Sequence, residues 1–178
     1  MAFDIQCVSA ASQAVGQQKI IQHLAQVLID CVEQGASVSF MHPLGMDKAQ
    51  AFWQGVMDAV ARGERLLLIA RDDNGPIQGT VQIITAQPDN QPHRADIAKM
   101  LVHSSYRKQG LGQALMQAAE KEARAAGKTL LVLDTVTDSE GWRLYQRCGW
   151  QIAGNIPGYA LWPRGGLVAT TFMYKQIA

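Results

Sequence analysis

The stretch from Ala95 to Leu133 restricts the fold of this chain more than any other. Ala95 to Val102 reads as a long strand. Leu111, Leu115, Ala118, Ala119 and Ala123 then fall on one face of a helix that Gly127 closes. Leu130-Leu131-Val132-Leu133 is nearly all apolar, as in a strand covered on both faces. Strand, helix and strand in that order make a crossover, which sets two strands parallel in one sheet.

The flanking segments fill out an α/β plan. Phe3 to Val8 reads as a short strand, and Ile20, Leu24, Val27, Leu28 and Cys31 predict a helix from about Lys19 to Glu33. A second helix follows Asp47, its expected N-cap, with Ala49, Phe52, Trp53, Val56 and Val60 on one stripe and Gly63 at its end. Leu66 to Ala70 and Ile77 to Thr85 read as a hairpin joined by Asp72-Asp73-Asn74-Gly75. A short helix from about Ser139 to Arg147 precedes Gly149, and the last strand lies around Ala169 to Tyr174, with one more short strand near Trp150.

Composition narrows the class. The chain has 178 residues, of which 48% are hydrophobic and 17% charged, and residues 1–178 read as one globular domain. The longest aliphatic run, Leu66 to Ala70, is far short of a membrane span. The N-terminus lacks the basic and apolar regions of a secretory signal. A net charge of +1 suggests neither a nucleic-acid nor an anionic-membrane surface. Cys7, Cys31 and Cys148 are too scattered for disulfides or zinc, read as small buried hydrophobes, and suit a reducing compartment. His23, His42 and His93 lack ligand spacing, so no metal is expected. The expected setting is the cytoplasm.

Chemistry concentrates at the strand-to-helix turn, Val102-His103-Ser104-Ser105-Tyr106-Arg107-Lys108-Gln109-Gly110-Leu111-Gly112-Gln113. Gly110 and Gly112 let the backbone approach a ligand, and the first helical turn offers free N–H groups and the positive end of the macrodipole. Together they suit a phosphate or pyrophosphate, with Arg107 and Lys108 adding charge. A dinucleotide fingerprint would need glycine at Leu115. A P-loop ending at Gly127-Lys128-Thr129 would need one at Glu122 and a helix after it.

Arg107-x-x-Gly110-x-Gly112 after a strand ending at Val102 resembles motif A of the GCN5-related N-acetyltransferases, the GNAT superfamily. Trp142-Arg143-Leu144-Tyr145-Gln146-Arg147-Cys148-Gly149-Trp150 resembles that family's second signature, a tyrosine on a short helix before a glycine–aromatic pair. Gly35 to Met41, Leu133-Asp134-Thr135 and Pro157-Gly158-Tyr159-Ala160 are similar to the tabtoxin-resistance type, which acetylates a β-lactam amino acid toxin. The resemblance implies a mixed, mostly antiparallel sheet with a splayed parallel strand pair that receives acetyl-CoA. Met100, Leu101 and Val102 would pair with the pantetheine arm. Lys108, Gln109, Gly110, Leu111, Gly112 and Gln113, with Arg107, would hold the pyrophosphate.

The resemblance also assigns roles. Tyr145 would protonate the departing sulfur, and a backbone N–H near Val102 would polarise the acetyl oxygen. Asp134 is the carboxylate placed to act as base or to receive the amine, with Asp138 and Glu140 nearby. Phe40 and Met41 are expected in the acceptor wall. His103 is a weaker alternative for the base. Asp138 and Gly141 stand where the family often has asparagine and alanine. The expected activity is direct acetyl transfer to a primary amine of a small molecule, an amino-acid-like toxin or antibiotic included, with a homodimer an admissible assembly. A protein amine as acceptor, a longer acyl donor and a non-catalytic acyl-CoA sensor are the alternatives.

Overall fold

The computed structural model describes residues 3–8, 10–72 and 75–177. Its elements are β1 (Ile5–Cys7), α1 (Ala10–Glu33), α2 (Met46–Ala61), β2 (Arg65–Ala70), β3 (Gly79–Ile84), β4 (Arg94–Val102), α3 (Leu111–Ala125), β5 (Leu130–Val136), α4 (Glu140–Arg147), β6 (Gln151–Leu161) and β7 (Leu167–Gln176). Among the described residues the strands form one seven-stranded sheet in the order β1-β2-β3-β4-β5-β7-β6. Only β4 and β5 pair in parallel, the consequence of the crossover through α3.

The sheet separates two cores. Along β2, Leu67 and Ile69 point to α1 and α2, while Leu68 and Ala70 point to α3, following the two-residue alternation of a strand. The unbroken apolar run of β2 is therefore a strand buried on both faces. On the first side Leu24, Leu28, Trp53 and Met57 are fully buried. On the second, Leu111, Leu115, Met116 and Ala119 of α3 lie against Val81, Ile83 and Leu131.

Some expectations need correction. α1 begins at Ala10, well before Lys19; its first residues are good helix formers by propensity, but the apolar stripe that signals a helix starts only at Ile20. The N-cap of α2 is Gly45, and Asp47 lies in the first turn, where its charge suits the helix dipole. The strand expected near Trp150 is the eleven-residue β6, the outer edge of the sheet. It carries Pro157 and two register irregularities, both tolerated at an edge. Because nearly all of it is exposed, including Ile152, Ile156 and Leu161, it shows no buried–exposed alternation to read. Cys31 is buried as expected, but Cys7 is exposed and Cys148 half-buried. Of the expected hairpin turn, Asp73 and Asn74 lie outside the described residues. No described helix is long and apolar enough to cross a membrane.

Candidate active site

β4 and β5 stay paired for only three positions, Arg94↔Leu130, Ala95↔Leu131 and Asp96↔Val132. Beyond them the strands part, and a cleft of about 1100 Å³ opens between them. Part of the cause is a β-bulge in β4. Thr80 of β3 pairs with Leu101 and Gln82 with Ala98, so Val81 alone faces both Lys99 and Met100. Lys99 takes a positive φ of 47° at this bulge, which turns its side chain into the cleft. His103 N–H donates to Gln78 O on the β3 side (2.9 Å). Strand alternation then directs the backbone groups of Val102 and Met100 toward the opened edge.

The turn after β4 runs through a single 3₁₀ turn, Ser104–Tyr106, into α3. Gly110 is the helix N-cap with φ 89°, a left-handed conformation that a side chain resists. It supplies no side-chain cap. Among the described residues, none of the N–H groups from Lys108 to Gln113 donates to a backbone or side-chain acceptor; the first bond of the helix is Ala114 N–H to Gly110 O. Such a row of free donors at a helix N-terminus is an anion site. Gly112 has a different use. A Cβ there would lie 3.0 Å from Leu144 Cδ2, so its missing side chain lets α4 pack close to the start of α3.

Arg107 faces the cleft but is held by the strand end. Its Nε donates to Val102 O (3.1 Å), and the Cys31 thiol donates to the same oxygen (3.5 Å). The guanidinium thus braces the last residue of β4 while keeping its charge beside the anion site. Lys108 and Gln109 are exposed, and Leu111 turns its side chain into the core, leaving only its backbone for a ligand.

Tyr145 sits on α4, 7% exposed, on the wall of the same cleft, its ring 6.0 Å from that of Trp150. Ser139 starts this helix by accepting the Trp142 N–H (3.1 Å). Burial drives the phenol pKa well above its ordinary value, and negative charge on Asp134 adds to the effect. The O–H is therefore retained at neutral pH. Asp134 opens onto the cleft from β5, yet the protein crowds it enough that desolvation raises its carboxyl above the usual range; Lys99 partly offsets this.

The far end of the cleft has a roof. The α1–α2 loop, from Gly35 to Met41, meets the β6–β7 turn: Ser37 Oγ donates to Leu161 O (2.8 Å) and His42 N–H to Pro163 O (2.9 Å). Phe40, Met41, Tyr159 and Trp162 line this end.

A model of the acetyltransferase (GNAT) family matches residues 22–150. The chain belongs to that family. This acetyltransferase is 31% identical, over 116 residues, to an uncharacterised N-acetyltransferase encoded in the hisH-hisA intergenic region of Azospirillum brasilense, an alignment spanning 64% of this chain and 67% of that one. Its fold is that of yncA from Salmonella typhimurium, whose structure holds acetyl-CoA as cofactor (TM-score 0.75, 19% identity, 100% and 95% of the two chains covered). It is also that of a phosphinothricin acetyltransferase from Sinorhizobium meliloti in complex with acetyl-CoA (TM-score 0.77, 14% identity, 99% and 89% covered).

Of the residues singled out in the sequence, the acetyltransferase brings Met100, Leu101, Val102, Arg107, Lys108, Gly110, Gly112, Gln113, Asp134, Tyr145, Phe40 and Met41 to one cleft. Glu140 also lines it, whereas Asp138 projects elsewhere, exposed, with φ 60°. His103 turns away. Its Nδ1 accepts from Ser105 N–H (3.3 Å), and its Nε2 lies 3.9 Å from Asp30. No local pattern marks Lys99, hidden inside an apparent strand, or Trp162, which follows a strand without periodicity, as cleft residues. Arg143 and Arg147, quoted in the second signature without a role, line the cleft at helical spacing from α4. Among the described residues, no cluster of His, Cys, Asp or Glu could hold a metal ion.

Proposed function

We propose that this protein transfers an acetyl group directly from acetyl-CoA to a primary amine of a small molecule. The observation that carries the reading is the run of free N–H groups from Lys108 to Gln113, open to the cleft that Tyr145 and Asp134 also line. A pyrophosphate fits those donors and the Arg107 charge. The freed edge of β4 at Met100 suits a pantetheine arm, which carries amide donors and acceptors of its own. Acetyl-CoA brings an activated thioester. The protein must hold it, ready the amine and stabilise the charge that gathers on oxygen and sulfur.

An alkyl ammonium has a pKa near ~10.4, so about a thousandth is free amine at neutral pH. Asp134 is the group placed to take its proton, directly or through water. Tyr145 retains its O–H and donates it to the departing sulfur. The bonded roof between the α1–α2 loop and the β6–β7 turn supports a small acceptor over a protein tail, and amino-acid-like toxins or antibiotics belong to the acceptor class of this reading. A reducing, cytoplasmic setting goes with it.

Calorimetric titration of coenzyme A, with hydrogen exchange read at residues 108–113, tests the donor site. Binding with protection of those amides is the expected result; binding elsewhere, or none, overturns the reading. Gly110→Val forces a branched side chain into a left-handed backbone, at a cost of about 1–2 kcal/mol, and is expected to weaken coenzyme A binding ~10-fold.

The role of Asp134 predicts a pH effect. Because burial raises its pKa, the folded protein binds this proton more tightly than the unfolded chain does. The sign follows: the neutral carboxyl favours the fold at low pH, and that contribution is lost as pH rises through the raised value. The base form appears over the same interval, so the acid limb of kcat/KM is expected above the ordinary carboxylate range. Asp134→Asn is expected to lower kcat ~10²-fold or more and to remove that limb without lowering the melting temperature at pH 7. A limb that persists in the variant assigns the base to another group.

A further inference from the structure

We propose that Lys99 receives the carboxylate of a zwitterionic acceptor, an α-amino acid or near analogue, whose amine faces the thioester beside Asp134. The inference rests on the acetyl-transfer reading above and specifies its acceptor. Lys99 is a half-buried cation inside the cleft. Its ammonium donates to Ser39 Oγ (3.1 Å) and lies 5.7 Å from the centre of the Phe52 ring, both neutral partners. No described carboxylate pairs with it, although a half-buried ammonium ordinarily has one. The charge of opposite sign that acts on it is Asp134, across the splayed strands. Extending the β4–β5 register past Asp96↔Val132 would set Asp134 level with Ala98, next to Lys99, had the strands not parted there.

Two opposite charges thus face one cavity from either side without touching. A short molecule carrying an ammonium and a carboxylate fills that gap and neutralises both. The backbone is committed to this arrangement, because Lys99 occupies the bulge in the left-handed region, where a side chain is costly and a turned-in cation is the evident gain. Ser39, its hydrogen-bond partner, also has a positive φ, 77°, so the roof loop meets the ammonium through a second unusual backbone. A diamine or polyamine would bring a second positive charge toward Lys99 and be disfavoured. An amine without an anion would leave Lys99 unpaired.

The test measures thiol release from acetyl-CoA with a panel of L-amino acids, each paired with its carboxamide and its decarboxylated amine. Each acid is expected to exceed its carboxamide in kcat/KM by ~10–100-fold, mainly through KM, since a charge-assisted hydrogen bond is at stake. Lys99→Met is expected to abolish that preference and Lys99→Arg to keep most of it, with coenzyme A affinity unchanged in both. In parallel, N-acetylated amino acids and their amides are titrated into the coenzyme A complex, which reads carboxylate recognition without turnover. Carboxamides as good as acids, or a preference that survives Lys99→Met, overturn the proposal. If coenzyme A itself fails to bind, the acetyl-transfer reading falls. If it binds but neither the acids nor their acetylated products engage the protein, the Lys99 assignment alone falls.

Discussion

Tyr145→Phe is expected to lower kcat by about 10²–10⁴-fold, the range for losing a general acid, with coenzyme A affinity within about twofold of the wild type. The substitution removes one oxygen from a side chain that is 7% exposed and leaves its ring in place against Trp150. Packing is therefore preserved, and the loss falls on the step in which charge gathers on sulfur. Burial is what keeps the phenol protonated, so its O–H is available throughout the pH range in which Asp134 ionises. Turnover that stays unchanged, measured with acetyl-CoA and an accepted amine, would remove Tyr145 from the mechanism. A matched rise in coenzyme A Kd would make it a binding residue instead.

Trp53→Ala should destabilise the fold by about 3–5 kcal/mol, the usual cost of emptying a fully buried aromatic site. Trp53 is 0% exposed at the centre of the core between α1, α2 and the sheet. Phe52 meets it edge-on at 5.1 Å, Phe40 meets Phe52 edge-on in turn at 5.2 Å, and Lys99 rests over the Phe52 face. The cavity would therefore loosen the acceptor end as well as the core. Trp53→Phe is expected to cost much less, because the Trp53 Nε1 is buried without a partner and its removal relieves an unmade hydrogen bond. Denaturant unfolding reads both. A loss below 1 kcal/mol for the alanine variant would show that the neighbouring helices collapse onto the space.

The crossover was legible because its signals are local. The apolar run of β5, the stripe of α3 and the paired glycines each answer to neighbouring residues and to fixed periods of two or 3.6. The same holds for Tyr145, whose surrounding signature lies within one short helix and its exit. Where periodicity is absent, residues carry no local signal of the element they form. β6 exposes nearly every residue and so shows no alternation, and the first turns of α1 carry helix formers without an apolar stripe. Gly112 was legible as a glycine but not in its use, since the space it vacates is filled by Leu144, thirty-two positions on.

The sequence by itself determined the layered α/β plan, the turn with its free amides and the phenol, because each depends on chain-local spacing and backbone preference. The tertiary structure alone decided that β4 and β5 part after Asp96, that a bulge turns Lys99 inward, and that the α1–α2 loop bonds to the β6–β7 turn as a roof. Those features arise between segments far apart in the chain. Their positions follow from how the sheet twists and packs against its helices, and no local pattern of residues encodes that.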